Sequence, residues 1–377
     1  MIEKLEVAGF KRFSEDKFAL KPLTVLTGLN GSGKTSLIHS ILLIHESIHG
    51  IGDNVVRLNG PFGLELGTAG DVVNWEASDR ITLTLHEQAA EFKWEFGWDA
   101  DEAMYLIAKN SPSGNPSALM RKTNCFAYLS AERYGPRGSL KASPLPVDKL
   151  EVGAKGEYCA QVLETLGSKP ALSTRHHPES KSTGPSLLKY EVEKWLSECA
   201  RPVEIDSIRS SGSTQYALNF RVPGGIWVRA TNMGFGVSYA LPIILAGLTL
   251  EEGGLMIVEN PEAHLHPAGQ SRIGFFLAWL ASRGVQVIVE THSDHVLNGI
   301  RRAIGEYKEL PNTDAIVHFF SANEDTPALE LAFTPIGGVS HWPQGFFDQY
   351  QIDTAALGRI RRNGVIREGS PADGIRD

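Results

Sequence analysis

The run Gly28-Leu29-Asn30-Gly31-Ser32-Gly33-Lys34-Thr35 constrains this chain more than any other stretch, because of what flanks it. Leu23 to Thr27 is apolar and β-branched and predicts a strand; Ser36 to Ile44 has helical spacing. Glycines between them let main-chain N–H groups turn inward around an anion, at a helix N-terminus whose own amides lack partners. The string fits G-x-x-x-x-G-K-[ST], the P-loop or Walker A pattern. In that pattern Gly28, Asn30, Gly31, Ser32 and Gly33 shape the cradle, Lys34 reaches the β- and γ-phosphates, and Thr35 ligates Mg²⁺, with Ser36 following. A chance glycine-rich turn is the competing reading; the strand before and the helix after argue against it.

A second α/β stretch begins after Thr231, with a helix expected near 237–250, a strand at Leu255–Val258, a helix near 270–282 and a strand at Val285–Val289. Uninterrupted apolar strands alternating with helices predict a mostly parallel sheet covered on both faces. Leu255 to Glu262 fits a Walker B string, in which Glu259 holds Mg²⁺ at the strand's C-terminal edge. Read alone, it is equally an ordinary buried strand reaching the surface. The next strand runs into Glu290-Thr291-His292-Ser293, which places His292 to sense or polarise a γ-phosphate; a satisfied structural histidine is the bland alternative. Glu259, Glu262, His264, His266, His292 and His295 also have metal-ligand spacing, so a transition-metal hydrolase site is a rival reading.

Between these halves the pattern changes. Ile81–Leu85 and Phe92–Phe96 alternate like a β-hairpin, Leu187–Ala200 reads as an amphipathic helix, and Val203–Val228 as short strands. A polar run from Ser168 to Ser186, with His176 and His177, reads as a mobile, solvated loop, and Gly358–Asp377 as a fraying tail. The 377 residues therefore divide into a core segment 1–49, an inserted β/helical lobe 50–229, a second core segment 230–335 and a small C-terminal domain and tail 336–377. A net charge of −8 removes any overall basic field for nucleic acid, and Arg359, Arg361, Arg362 and Arg367 form a local basic patch or a solvated tail. Three widely spaced cysteines, no apolar leader and no apolar run of spanning length point to a cytoplasmic protein off the membrane.

Taken as a set, Walker A, Walker B, Pro261-Glu262-Ala263-His264-Leu265-His266-Pro267 and Glu290-Thr291-His292-Ser293 resemble the ABC-type ATPase heads of the SMC, RecF and OLD groups. Among these, the short bacterial AAA ATPases with a C-terminal domain of unknown function are most similar, through Gly338 to Gln349. The resemblance implies an α/β P-loop NTPase with a mostly parallel ABC-like core and an inserted antiparallel β and helical subdomain. It implies ATP and Mg²⁺ as ligands, and a homodimer closed around ATP in which Ser238, in the signature-like Asn232–Ser238, reaches the partner's γ-phosphate. A helix cap is the alternative for that segment. Phe10-Lys11-Arg12-Phe13 resembles the family's first-strand segment, where Arg12 meets phosphate and the aromatics stack on adenine, or the phenylalanines are simply core. Gly67–Val72 resembles the lid region, without its usual glutamine. Arg133 and Arg137 are candidates for phosphate or dimer contact, against a surface salt bridge. One departure matters: Glu259-Asn260 stands where relatives have Asp-Glu, so hydrolysis is slow or uses Glu262. The implied function is ATP-driven action on a protein partner in genome maintenance or antiphage defence, with nucleic acid a possible partner that the charge does not show. The alternative is an ATP-gated scaffold regulating an effector such as a nuclease.

Overall fold

The computed structural model describes residues 1–50, 52, 54–74, 76, 79–120, 124–180, 184–209, 212–321 and 328–367. They form two compact units, Met1–Ser340 and His341–Asp377. In chain order the first unit begins with β1 (Lys4–Phe10), β2 (Phe13–Ala19), β3 (Leu23–Gly28), α1 (Lys34–His49), β4 (Val55–Arg57) and α2 (Ala69–Val72). The middle stretch contributes β5 (Ile81–Glu87), β6 (Ala90–Gly97), β7 (Tyr105–Asn110), β8 (Phe126–Leu129), β9 (Leu140–Lys141), α3 (Cys159–Leu166) and α4 (Leu188–Cys199). It ends in β10 (Glu204–Arg209), β11 (Gln215–Arg221) and β12 (Val228–Arg229). The remainder is α5 (Phe235–Thr249), β13 (Leu255–Glu259), α6 (Pro267–Ser282), β14 (Gln286–Glu290), α7 (Asp294–Gly305), β15 (Ala315–Phe320) and β16 (Leu329–Ala332).

A six-stranded sheet in the order β16-β15-β3-β14-β13-β8 carries the core. Every pairing in it is parallel except β15 with β16. β13, β14 and β15 are buried at every residue, as sheets covered on both faces require. A second six-stranded sheet, β2-β1-β5-β6-β7-β4, is antiparallel throughout and includes the expected hairpin, which turns at Gln88 with φ 54°. A small sheet, β10-β11-β12 with β9 on β11, completes the strands among the described residues.

The span 50–229 is not a self-contained lobe. Its strand β8 extends the core sheet in parallel with β13, and its β5 pairs directly with β1 of the N-terminal segment. A four-residue strand carries too little periodicity for its sheet membership to be read from sequence. The polar run 168–186 also differs from expectation. Arg175 is fully buried and donates to Arg283 O (2.8 Å) and Leu250 O (3.1 Å), joining the carbonyl ends that follow α6 and α5. His177 is buried beside Trp195 rather than solvated, with Nε2 3.2 Å from Glu198. Residues 181–183 of that run lie outside the described residues.

The second unit is described by itself. Trp342 and Phe347 meet Phe346 edge-on at 4.7 and 5.0 Å, and Gly345 N–H caps onto Asp348 (2.9 Å). Helix α8 (Gln349–Arg367) follows, so the expected fraying does not begin at Gly358. Arg359 is exposed; the side chains of Arg361, Arg362 and Arg367, and all of 368–377, lie outside the described residues. Among the described residues no helix is long and apolar enough to cross a membrane.

Two consequences are measurable. At Gly28, where φ is +134°, a Cβ would stand 2.0 Å from Phe320 O, whereas at Gly31, φ +73°, nothing lies within 4 Å. Gly28→Ala should therefore cost upwards of about 3 kcal/mol by urea denaturation, and Gly31→Ala only about 1. Burial holds His39 and His45 on α1 neutral, pushing both down to about 3. The unfolded chain binds more protons than the folded one between about 3 and the ordinary value of 6.5, so stability falls as pH drops through that window. His39→Gln should make the decline of Tm between neutral and mildly acidic pH shallower.

Candidate nucleotide-binding site

β3 delivers the P-loop to the C-terminal edge of the parallel sheet, and α1 leaves it at Gly33, which takes φ +108° as N-cap with no side-chain hydrogen bond to the first-turn amides. A Cβ at Gly33 would meet Arg12 Cδ at 2.5 Å, so arginine and loop are packed against one another. Arg12 also hydrogen-bonds through Nη1 to Ser32 O. Lys34 is buried and lies across the loop, donating to Leu29 O (2.6 Å) and Gly28 O (3.1 Å). Burial lowers its pKa, and Glu290 partly opposes that.

The second half of the site comes from strand register. Glu259 and Glu290 are partners across the parallel β13–β14 pair, so two carboxylates end side by side, 7% and 6% exposed. Thr35 Oγ1 is bonded to Glu290, 3.3 and 3.2 Å from its two oxygens. Glu259 instead accepts from Tyr128 Oη (3.0 Å) and from Ala131 N–H (3.1 Å). Burial raises both carboxyls, and Glu290, with Glu259 beside it, is pushed up to about 7. In the sequence Glu290 stands at the end of a strand, with nothing that marks it as a site residue. Its place against Thr35 follows from which residue of β14 is level with Glu259, and a single strand does not carry that information.

Around this pair the main chain is fixed by buried polar contacts. Arg133, 3% exposed, donates to Ser130 O (2.8 Å), Glu259 O (2.6 Å) and Asn260 O (2.6 Å), holding the ends of β8 and β13 together. It is thus neither a surface salt bridge nor free to meet phosphate, while Arg137 is exposed and stacks on Tyr134 at 3.8 Å. Asn260 has φ +43°, a left-handed conformation that asparagine tolerates better than glutamate, and its N–H donates to Glu290 O (2.8 Å). Glu262 accepts from Thr291 Oγ1 and His292 N–H, both at 2.8 Å, so its two oxygens hold the turn that carries His292. His292 itself is exposed, with its pKa lowered by partial burial and by Lys34.

Other candidates are separated by the fold. Phe10 and Phe13 are fully buried in the core, which removes them as stacking partners for a base, and Lys11 pairs with His39 Nδ1 at 3.0 Å. Gly67–Val72 forms a turn and α2, opened by a Thr68–Asp71 capping box. Ser238 lies in the first turns of α5, partly exposed. His264 packs against Tyr239 with the rings tilted at 52° (4.4 Å), and His266 Nδ1 accepts from Ala268 N–H at the start of α6. Among the described residues, the group able to ligate a metal through three side chains is His177, Glu179 and Glu198, with Arg272 2.6 Å from Glu198; the rival histidines are not in it.

The arrangement fits a nucleoside triphosphate with a divalent cation. Glycines fill positions a Cβ would block, helix amides face the loop without a side-chain cap, and two buried like-charged carboxyls stand where a cation would relieve them.

Residues 178–298 match a family described as "AAA domain, putative AbiEii toxin, Type IV TA system", and residues 310–357 match one described as a protein of unknown function, DUF3696. The OLD nuclease of Thermus scotoductus (strain ATCC 700910 / SA-01) is 24% identical over 371 residues, covering 88% of this chain and 66% of the relative, just under two thirds of its length. An Smc head bound to the C-winged helix domain of ScpA aligns with a TM-score of 0.52 at 13% identity, over 88% of this chain and 97% of that one. A second Smc head, with an extended coiled coil and bound to the C-terminal domain of ScpA derived from Pyrococcus furiosus, aligns at 0.50 and 11% identity, over 96% and 99%. At such identities the structural likeness establishes the fold. The fold is similar to that of the Smc heads, and in sequence the chain is similar to the AAA domain family, the OLD relative and the DUF3696 segment.

Proposed function

We propose that this chain binds ATP with Mg²⁺, hydrolyses it slowly, and pairs with a second copy around the nucleotide to act on a protein partner. The observation that carries this reading is the placement of Thr35, next to Lys34 in the P-loop, against the buried carboxylate of Glu290, which is level with that of Glu259 on the neighbouring strand. P-loop amides and Lys34 bind the phosphates, and Arg12 braces the loop from behind. Thr35 and Glu259 would hold Mg²⁺, which when bound supplies charge neutralisation to the phosphate oxygens. Glu262 orients His292 toward the γ-phosphate position rather than acting as base, since both its oxygens are already engaged. Glu290 has a carboxyl poised near neutrality and takes the role that Asn260 cannot fill. Ser238, at the start of α5, serves the partner copy's nucleotide.

The relatives support a protein partner. The two Smc heads were each solved with part of ScpA, and about a third of the OLD nuclease's sequence lies outside its match to this chain. We place the chain in the cytoplasm, where its three buried thiols stay reduced, with a role in genome maintenance or antiphage defence. A scaffold that holds ATP without turnover is the second reading, favoured by the neutral Asn260.

Calorimetry at millimolar Mg²⁺ should detect ATP binding that Lys34→Ala abolishes. Glu290→Gln should retain binding while phosphate release falls roughly 100-fold. Light scattering should report a doubled mass with a slowly hydrolysed ATP analogue. Mass doubling together with phosphate release at background in the parent chain would select the scaffold.

A further inference from the structure

A cavity of about 520 Å³ lies in the first unit, away from the P-loop. Its walls include His45 and His49 of α1, Phe62, Phe126 and Tyr128 of β8, and the end of α5, and Lys149 and Glu151 also line it. His45 and His49 follow Lys34 by 11 and 15 positions. At 1.5 Å per residue they stand about 16 and 22 Å along α1 from the phosphate cradle. The space is therefore a different site from the one already described.

Its lining has two features that call for a particular ligand. The first is a set of ring faces: His45 stacks on His49 (4.1 Å, 22°) and lies 4.4 Å from Phe126, while Phe62 meets His45 and Tyr128 edge-on at 4.9 and 6.0 Å. The second is main chain. Leu255 N–H donates to Cys125 O, so in this parallel pair the odd-numbered residues of β8 face β13 and the even-numbered ones face away. Ser130 N–H, facing away, is taken by Ala154 O. Among the described residues no main-chain partner meets the outward N–H and C=O of Phe126 and Tyr128, on the side where the cavity lies. His45 Nδ1 is likewise buried without a partner among the described residues.

Donors and acceptors beside flat ring faces match a molecule that is itself planar and polar at its edge. An added strand is the other ligand for a bare sheet edge. Here Ser130 is already paired and Asn124 O is taken by Glu251 N–H, leaving fewer positions than a strand needs. Lys149 and Glu151 have opposite charges, which disfavours a highly charged nucleotide. The volume falls in the range of small-molecule sites. We propose that this cavity binds a neutral heteroaromatic of nucleoside size, its base edge paired to the main chain of Phe126 and Tyr128. Tyr128 also donates its hydroxyl to Glu259 (3.0 Å), so occupancy bears on the acidic pair beside the P-loop. This coupling rests on the proposed ATPase reading; the binding does not.

Adenosine and guanosine are the probes, titrated by calorimetry into the full chain and its variants. At least one should bind to Lys34→Ala as tightly as to the parent. Ala246→Trp, which fills the cavity from α5, should weaken it about tenfold or more, and Thr249→Phe, at the less crowded helix end, should do the same if the tryptophan prevents folding. With Tyr128→Phe the nucleoside should still bind but no longer change phosphate release, whereas in the parent it does. No heat from either nucleoside at millimolar concentration overturns the proposal. So does binding lost in Lys34→Ala and intact in Ala246→Trp, which would assign the base to the P-loop. A silent phosphate assay with intact nucleoside binding would remove the coupling alone.

Discussion

The register of three parallel strands is the constraint on which the rest depends. β3 ends in the phosphate loop, β14 beside it ends in Glu290, and β13 beyond ends in Glu259. Because adjacent strand ends lie about 4.8 Å apart, the two carboxylates are held side by side by register alone, and the P-loop and first turn of α1 bring the Thr35 hydroxyl to them. Two unscreened acids in a buried place repel, and the fold tolerates them by giving each a donor: Tyr128 and Ala131 for one, Thr35 for the other. The acidic pair is thus electrostatically unfinished on its own.

A layer of buried polar contacts keeps that register sharp. Arg133 spends its guanidinium on three carbonyls at the ends of β8 and β13. Glu262 ties the turn after β13 to the turn after β14, and Ser293 and Gln270 continue the network into α7 and α6 (2.6 Å). None of these groups would touch substrate; they decide where the groups that do will stand. Their burial makes them costly to remove, because each lost partner strands a polar atom in a dry interior.

The sequence was legible where chemistry is local. The P-loop, its strand and its helix are set by residues within a few positions of one another, as are the buried runs of β13 and β14 and the β5–β6 hairpin. What stayed hidden depends on distant segments. Glu290 acquires its role only from its neighbour on β13, and β8 is assigned to the core only by the edge it completes. Arg175 and His177 sit in a polar run that looks solvated, yet the carbonyl ends after α5 and α6 and the face of Trp195 close over them. Asn260 reads as a lost catalytic group, whereas its positive φ supplies a backbone reason for that residue.

Gly28 lies against the carbonyl of Phe320, and Leu29 N–H donates to that same oxygen at 3.2 Å. A loop encoded near the start of the chain is therefore braced by a strand encoded some 290 residues later. During synthesis, a nascent chain released from the ribosome only as far as β14 has the lysine, the threonine and both acids, but lacks one wall of the strand that presents them. The loop thus gains this brace late in the life of the polypeptide, and a fragment truncated before β15 would lack it however intact its motifs.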